Sequence, residues 1–171
     1  MNILILANGI YCEFSKQIDF IIELLNNNHN VHLIVHPEDK KIVDSNIILK
    51  ENNKLIIDYI SYLDYQYDFL SVSGIINVCL GLDISTIQHV LEWREKRHII
   101  SVGVVSDFEL LDIVCDKDLF YYWLLCCREL HLIIVKKKSD IAKFNFHNAI
   151  YIEKDKEIID NIESLYENFS Y

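Results

Sequence analysis

A chain of 171 residues with 51% hydrophobic content is long enough to bury one core of ordinary size without disulfides or metals. Its formal net charge of −10 at pH 7 excludes a broad nucleic-acid-binding face, because phosphate contacts require clustered lysine and arginine. No apolar run approaches the ~18 residues that a membrane span requires, and the amino terminus lacks a basic leader, so we expect a cytoplasmic protein with no membrane partner.

Short apolar runs alternate along the chain with stretches of helical period. The runs predict strands at 3–7, 31–35, 55–60, 69–72, 99–105 and 131–135, and a short last strand at 148–152. Amphipathic spacing predicts helices within 14–25, 38–50, 83–97, 116–127 and 158–169, with Asp83 or Ser85 capping the third of them. This alternation predicts an α/β fold in which residues 1–171 form a single three-layer Rossmann-like (flavodoxin-like) domain with a mostly parallel sheet.

Ligands of open parallel sheets bind beyond the carboxyl ends of the strands, so the loops after the predicted strands are the candidate site. These loops are 8–12, 36–39, 73–77, 106–107 and 136–139. Helix amino termini in such loops can hold phosphate through backbone amides. The chain has only 4 glycines, and Asn8-Gly9 is neither a Gly-x-Gly-x-x-Gly fingerprint nor a Walker loop, so a dinucleotide-binding loop is not predicted.

Few side chains in this pattern point to a particular chemistry. Pro37 ends the second strand and places His36 at the ligand edge, where it either contacts a phosphate or ribose or is simply exposed. The 5 cysteines have no metal-ligand spacing, and none of them is predicted to be a nucleophile. Tyrosines crowd the stretch 59–67, where we expect a homo-oligomer contact or a surface that stacks on a planar ring.

The order and spacing of several segments resemble the homo-oligomeric flavin-containing cysteine decarboxylases, which include phosphopantothenoylcysteine and lantibiotic peptidyl-cysteine decarboxylases. The matching segments are 20–25, 31–37, 40–43, 47–50 and 68–77, followed by the Gly-x-Asp of 81–83. The resemblance implies a flavodoxin-like domain that forms trimers or multiples of trimers and binds FMN at the subunit interface. It also implies a lyase reaction, in which the flavin oxidises the cysteine thiol of a small-molecule or peptide substrate and the adjacent carboxylate leaves as CO2.

The resemblance also implies a set of cofactor-binding residues. Asn8, Gly9 and His36 would hold the FMN phosphate, and Ser73 and Asn77 would reach the flavin ring or the ribityl chain. The chain departs from the family pattern at two places: Tyr59 stands where the family has its active-site histidine, and the stretch 101–107 contains no Pro-x-Met-Asn substrate clamp.

Two other functions fit the same pattern. The opening strand, the Asn-Gly turn and the His-Pro corner suit a nucleotide-sugar-binding Rossmann domain related to one half of a glycosyltransferase. The shortage of glycine and of matched catalytic pairs suits a non-catalytic assembly or regulatory protein. Because one fold hosts many functions, the choice among the three depends on the residues at the site.

Overall fold

The computed structural model describes residues 1–9, 12–61, 76–96, 99–106, 117–143 and 146–169. Its strands are β1 (Asn2–Ala7), β2 (Asn30–Val35), β3 (Leu55–Tyr59), β4 (Ile76–Leu80), β5 (Ile100–Val105), β6 (Leu132–Val135) and β7 (Ala149–Tyr151). Its helices are α1 (Ile18–Asn26), α2 (Lys40–Ser45), α3 (Ile47–Glu51), α4 (Ile84–Lys96), α5 (Lys117–Arg128) and α6 (Asp155–Phe169). In this part of the chain, no helix has both the length and the apolarity that crossing a membrane requires.

The strands form one sheet in the order β3-β2-β1-β4-β5-β6-β7, and all of their pairings are parallel. This confirms the predicted α/β Rossmann-like fold, and the order contains the 3-2-1-4-5-6 arrangement of dinucleotide-binding sheets. The strands predicted at 55–60 and 148–152 are confirmed as β3, at one edge, and β7, at the other. The strand predicted at 69–72 lies outside the described residues, and the fourth described strand begins at Ile76.

Apolar side chains project from both faces of the sheet. Because helices cover both faces, the strands are almost continuous apolar runs. On one face, odd-numbered residues of β1 such as Ile5 pack with Phe20 and Leu24 of α1 and with Ile158 of α6. On the other face, even-numbered residues such as Leu6 pack beneath α4 and α5. The helices therefore form two outer layers, and every site that the strands position lies at an end of the sheet.

The amino edge of the sheet contains a pair formed by the buried Ser101 and the half-buried His131. His131 Nδ1 accepts hydrogen bonds from the backbone N–H of Ser101, at 3.0 Å, and from its hydroxyl, at 2.8 Å. Burial, and secondarily the charge of Arg94, lowers the pKa of His131. Because this edge lies opposite the ligand edge of a Rossmann sheet, we interpret the pair as structural.

This pair predicts a loss of stability in mild acid. The lowered pKa means that the unfolded chain binds the proton more readily, so the stabilisation is fully present above the ordinary histidine pKa near 6.5 and decreases as pH falls below it. His131→Asn can keep an acceptor near Ser101 but does not titrate. We expect its free energy of unfolding, measured in urea from pH 7.5 to 5, to fall less steeply than that of the wild type. His147→Asn, at an exposed histidine, is the control.

Candidate functional site

The carboxyl ends of β1 and β2 lie side by side, because Ala7 pairs with Val35 in the parallel register. Asn8 and His36 follow these two residues and therefore lie at the same edge of the sheet. β1 is also the strand at which the winding reverses, with β2 on one side and β4 on the other. Doubly wound sheets bind ligands at this switch point. Three of the predicted cofactor-binding residues, Asn8, Gly9 and His36, lie at this edge of the sheet.

Hydrogen bonds that start at Asn8 connect the ends of three neighbouring strands, β1, β2 and β3. It is fully buried, and its Nδ2 donates a hydrogen bond of 3.1 Å to the carbonyl of Ile60, just after β3. The N–H of Ile60 in turn donates to the carbonyl of Val35, at the end of β2, over 3.0 Å. The position of the Asn8 side chain thus has a structural explanation, because its amide group provides the hydrogen bond that the Ile60 carbonyl requires.

Gly9 allows the loop after β1 to touch the loop after β4. A Cβ atom built on Gly9 would lie 2.5 Å from the Cβ of Asp83, which is closer than carbon atoms in proteins approach one another. The Asp83 carboxylate Oδ1 accepts hydrogen bonds from Ser85, from the backbone N–H at 3.0 Å and from the hydroxyl at 2.6 Å. Asp83 is therefore the cap of α4, one of the two predicted alternatives, and it places a buried negative charge at the switch point.

An unusual turn positions Asp83. Gly81 and Leu82 both have positive φ angles, of 80° and 51°, and a leucine rarely adopts this conformation. The indole Nε1 of Trp123 donates a hydrogen bond of 2.7 Å to the Leu82 carbonyl, and the N–H of Gly81 donates to the carbonyl of Val104 over 3.0 Å. The fold thus holds a strained turn from two sides, as is common next to binding sites.

Cys12 lies beside the switch point, close to several carboxylates. Its backbone N–H donates to the carbonyl of Gly9 over 3.1 Å, which places it beside the switch point. Burial raises the pKa of the Cys12 thiol, and the negative charges of Asp39, Glu13 and Asp83 raise it further. The thiol therefore stays protonated near neutral pH and is a poor nucleophile. Carboxylates from three separate segments act on this one sulfur atom.

Gln17 contributes a buried acceptor to the same edge. It lies just before α1 and is 2% exposed, and its Nε2 donates to the hydroxyl of Ser106, just after β5. Within the described residues its Oε1 atom is buried and has no hydrogen-bond partner. A buried unsatisfied acceptor costs about 1–3 kcal/mol, so a ligand that brings an O–H or N–H donor to Gln17 would recover free energy.

The other two predicted cofactor-binding residues do not join this group. The prediction that Asn77 lies in a loop beyond the fourth strand is wrong, because Asn77 is inside β4, paired with Leu4 and Ser101. Leu4 precedes Asn8 by four residues at about 3.3 Å each, so Asn77 lies roughly 13 Å down the sheet from the crevice. Ser73 lies outside the described residues. No group of three or more His, Cys, Asp or Glu in the described part of the chain could hold a metal ion.

No model of a known protein family matches the chain, and no curated protein sequence matches it. Two solved structures share its fold. The UDP-bound glycosyltransferase UGT89C1 of Arabidopsis thaliana aligns with 88% of this chain at a TM-score of 0.64 and 10% identity. A wide-type short-chain dehydrogenase/reductase from Veillonella parvula, in complex with NADP, aligns with 95% of this chain at a TM-score of 0.61 and 14% identity.

The two alignments differ in how much of the other protein they cover. This chain spans 48% of the glycosyltransferase chain and 87% of the dehydrogenase/reductase chain. At these sequence identities the likeness establishes the Rossmann-like fold. Both structures hold a nucleotide, UDP in one and NADP in the other. Which ligand suits the present chain depends on the residues of its own crevice.

Proposed function

We propose that this chain binds a nucleotide-type ligand, specifically a nucleotide sugar, in the crevice at the carboxyl ends of β1, β2 and β4. The observation that carries the proposal is a set of hydrogen-bond acceptors on the loops at this edge. They are Asp83, which contacts Gly9, Asp39, in the turn that begins at His36, and Gln17, whose Oε1 atom has no hydrogen-bond partner within the described residues. Ribose and sugar hydroxyls are donors that match such acceptors. In dinucleotide-binding sheets, an acidic residue similarly binds the ribose hydroxyl.

The charges of the crevice indicate how such a ligand would be oriented. The diphosphate would be repelled by the carboxylates that surround Cys12. The Lys40 ammonium group lies 5.4 Å from the centre of the Tyr59 ring, at the β3 end of the edge. His36, which follows β2, lies close to the carboxylates of Glu38 and Asp39 instead. We therefore expect the phosphates near Lys40 and the hydroxyls near Asp39 and Asp83.

The alignment with 48% of a glycosyltransferase chain supports a domain equivalent to one half of such an enzyme. Transfer of a sugar requires an acceptor as well as a donor, and the switch point of one sheet provides a single crevice. On this proposal the chain binds the ligand by itself, and a catalytic cycle requires a second chain or domain.

Calorimetric titration with UDP-glucose, UDP and uridine tests the proposal. We expect UDP-glucose to bind more tightly than UDP, because its sugar hydroxyls reach the acceptors, and we expect uridine to keep much of the affinity of UDP. Failure of all three to bind at millimolar concentration would overturn the proposal and favour the non-catalytic assembly protein. Tight binding that depends on phosphate alone would contradict the role of the hydroxyls.

Asp39→Asn is expected to weaken UDP-glucose binding by about tenfold or more, because a hydrogen bond to a charged group contributes about 1.5–3 kcal/mol. Burial raises the pKa of Asp39 within the fold, so the substitution should not lower stability. Asp160→Asn, at an exposed residue of α6, is the matched control. Equal affinities for the two variants would remove Asp39 from the site.

FMN, the cofactor implied by the decarboxylase resemblance, is the second candidate. Asn8, Gly9 and His36 do lie at one edge, as an FMN phosphate site requires. The fit to the phosphate is poor, however, because Asp83 fills the space beside Gly9 and the Asn8 amide is bonded to Ile60. Tyr59, at the place of the family's histidine, ends β3, and burial raises its pKa. An absorbance spectrum of the purified protein with bands near those of flavin would favour FMN; a colourless protein that also fails to bind added FMN would exclude it.

A further inference from the structure

Helix α5 has an apolar stripe on its outer surface. Tyr121 is 56% exposed, Tyr122 46% and Leu125 58%, whereas Trp123 and Cys127 of the same helix are buried. Tyr121 and Leu125 are four residues apart and therefore neighbours on one helical face, with Tyr122 beside them. Exposed aromatic and aliphatic side chains concentrated on one helix are typical of a protein contact surface.

Opposite charges lie at the two ends of this stripe. Asp118 precedes Tyr121 by three residues and Arg128 follows Leu125 by three, so all four share the outer face, and both charged residues are exposed. If the same helix from a second copy lies antiparallel to it, Asp118 of each copy comes opposite Arg128 of the other. Tyr121 of each then comes opposite Leu125 of the other. The stripe is thus complementary to itself, as a two-fold interface requires.

A groove beside the stripe offers room for an inserted side chain. It has a volume of about 470 Å³ and is lined by Leu91 of α4, by Leu125, Cys126, Arg128 and Glu129, and by His147. In the antiparallel arrangement, Tyr121 of the second copy lies opposite Leu125, at the wall of this groove. Buried aromatic anchors in such pockets contribute much of the binding energy of protein interfaces.

We propose that α5 is the contact surface of a two-fold homodimer, formed by antiparallel packing of α5 against α5 of a second copy of this chain. This surface differs from the tyrosine-rich stretch 59–67 that the sequence suggests, of which residues 62–67 lie outside the described part of the chain. Two-fold symmetry also differs from the trimer that the decarboxylase resemblance implies. A second copy is favoured over other partners because the charges at the two ends of the helix match each other. The contact lies on the outer face of a helix layer and does not depend on which ligand occupies the crevice.

Native mass spectrometry and sedimentation across a dilution series test the proposed dimer. We expect a dimer of the wild-type chain at micromolar concentration, and Leu125→Glu should raise the dimer dissociation constant by about 100-fold, since it places a charge in both halves of the contact. Ile47→Glu, at a residue that is 66% exposed on α3, is the control and should leave the dimer unchanged. If Leu125→Glu does not fold, Tyr121→Lys provides the same test.

Charge exchange tests the antiparallel arrangement itself. Asp118→Arg and Arg128→Asp should each raise the dissociation constant by about fivefold, because each variant sets like charges opposite one another. The double variant restores opposite pairs and should recover the dimer. A wild-type monomer at all concentrations, a trimer, or a dimer that Leu125→Glu leaves intact would overturn the proposal. Weakening by both single exchanges without recovery in the double variant would overturn the antiparallel packing.

Discussion

Replacing Trp123 with alanine is expected to lower the free energy of unfolding by about 3–5 kcal/mol, the usual cost of emptying a buried tryptophan site. Trp123 is 1% exposed and packs in the core between the sheet and the α4–α5 layer. Its indole N–H also donates a hydrogen bond to the carbonyl of Leu82. Leu82 has a left-handed backbone conformation and directly precedes Asp83. Loss of this hydrogen bond should therefore disturb the turn that positions Asp83, and ligand affinity should fall in the fraction of the protein that remains folded.

Trp123→Phe separates the hydrogen bond from the packing. Phenylalanine keeps much of the buried apolar volume but leaves the Leu82 carbonyl without its donor, so we expect a cost of about 1–3 kcal/mol in urea unfolding. Tyr121→Phe removes a hydroxyl from the exposed side of the same helix and should cost less than about 0.5 kcal/mol. Equal stabilities for the two phenylalanine variants would show that the indole hydrogen bond contributes nothing.

The sequence predicts most of the strands because a parallel strand with both faces covered must be apolar along its length. β1, β2 and β5 are such strands, and their predicted positions agree with the observed ones within a few residues. β4 was missed because Asn77 interrupts its apolar run. A buried amide inside a strand looks like a turn residue in the sequence, and only the pairing with neighbouring strands shows that Asn77 lies within the sheet.

The candidate site was predictable only in part, because contacts between loops of different strands leave no local signal in the sequence. His36 and the Asn8-Gly9 turn could be placed at the carboxyl edge because each follows an apolar run that ends at a turn residue. Asp83 could be recognised as a helix cap, a local property. Its contact with Gly9 depends on which strands lie next to each other, and this order arises from the crossover connections rather than from any local pattern.

Gly9→Ala provides the most direct test of that contact. The added methyl group would lie 2.5 Å from the Cβ of Asp83, an atom close to the backbone that cannot move without disturbing the cap of α4. Overpacking of this kind costs about 1–3 kcal/mol, and the displaced loop should also weaken ligand binding in the crevice. Gly9 does not have a positive φ angle, so alanine at this position brings no backbone strain of its own.

A double-mutant cycle distinguishes this contact from a general loss of stability. Asp83→Gly removes the opposing Cβ, and because glycine is an acceptable helix N-cap, we expect the single variant to lose only a few tenths of a kcal/mol from the cap. In the double variant the alanine methyl group would occupy the vacated space, so Gly9→Ala should cost at least about 1 kcal/mol less than it does in the wild type. Additive costs in urea unfolding would contradict a steric contact between the two loops. Strong coupling would establish that β1 and β4 meet at the switch point through Gly9 and Asp83.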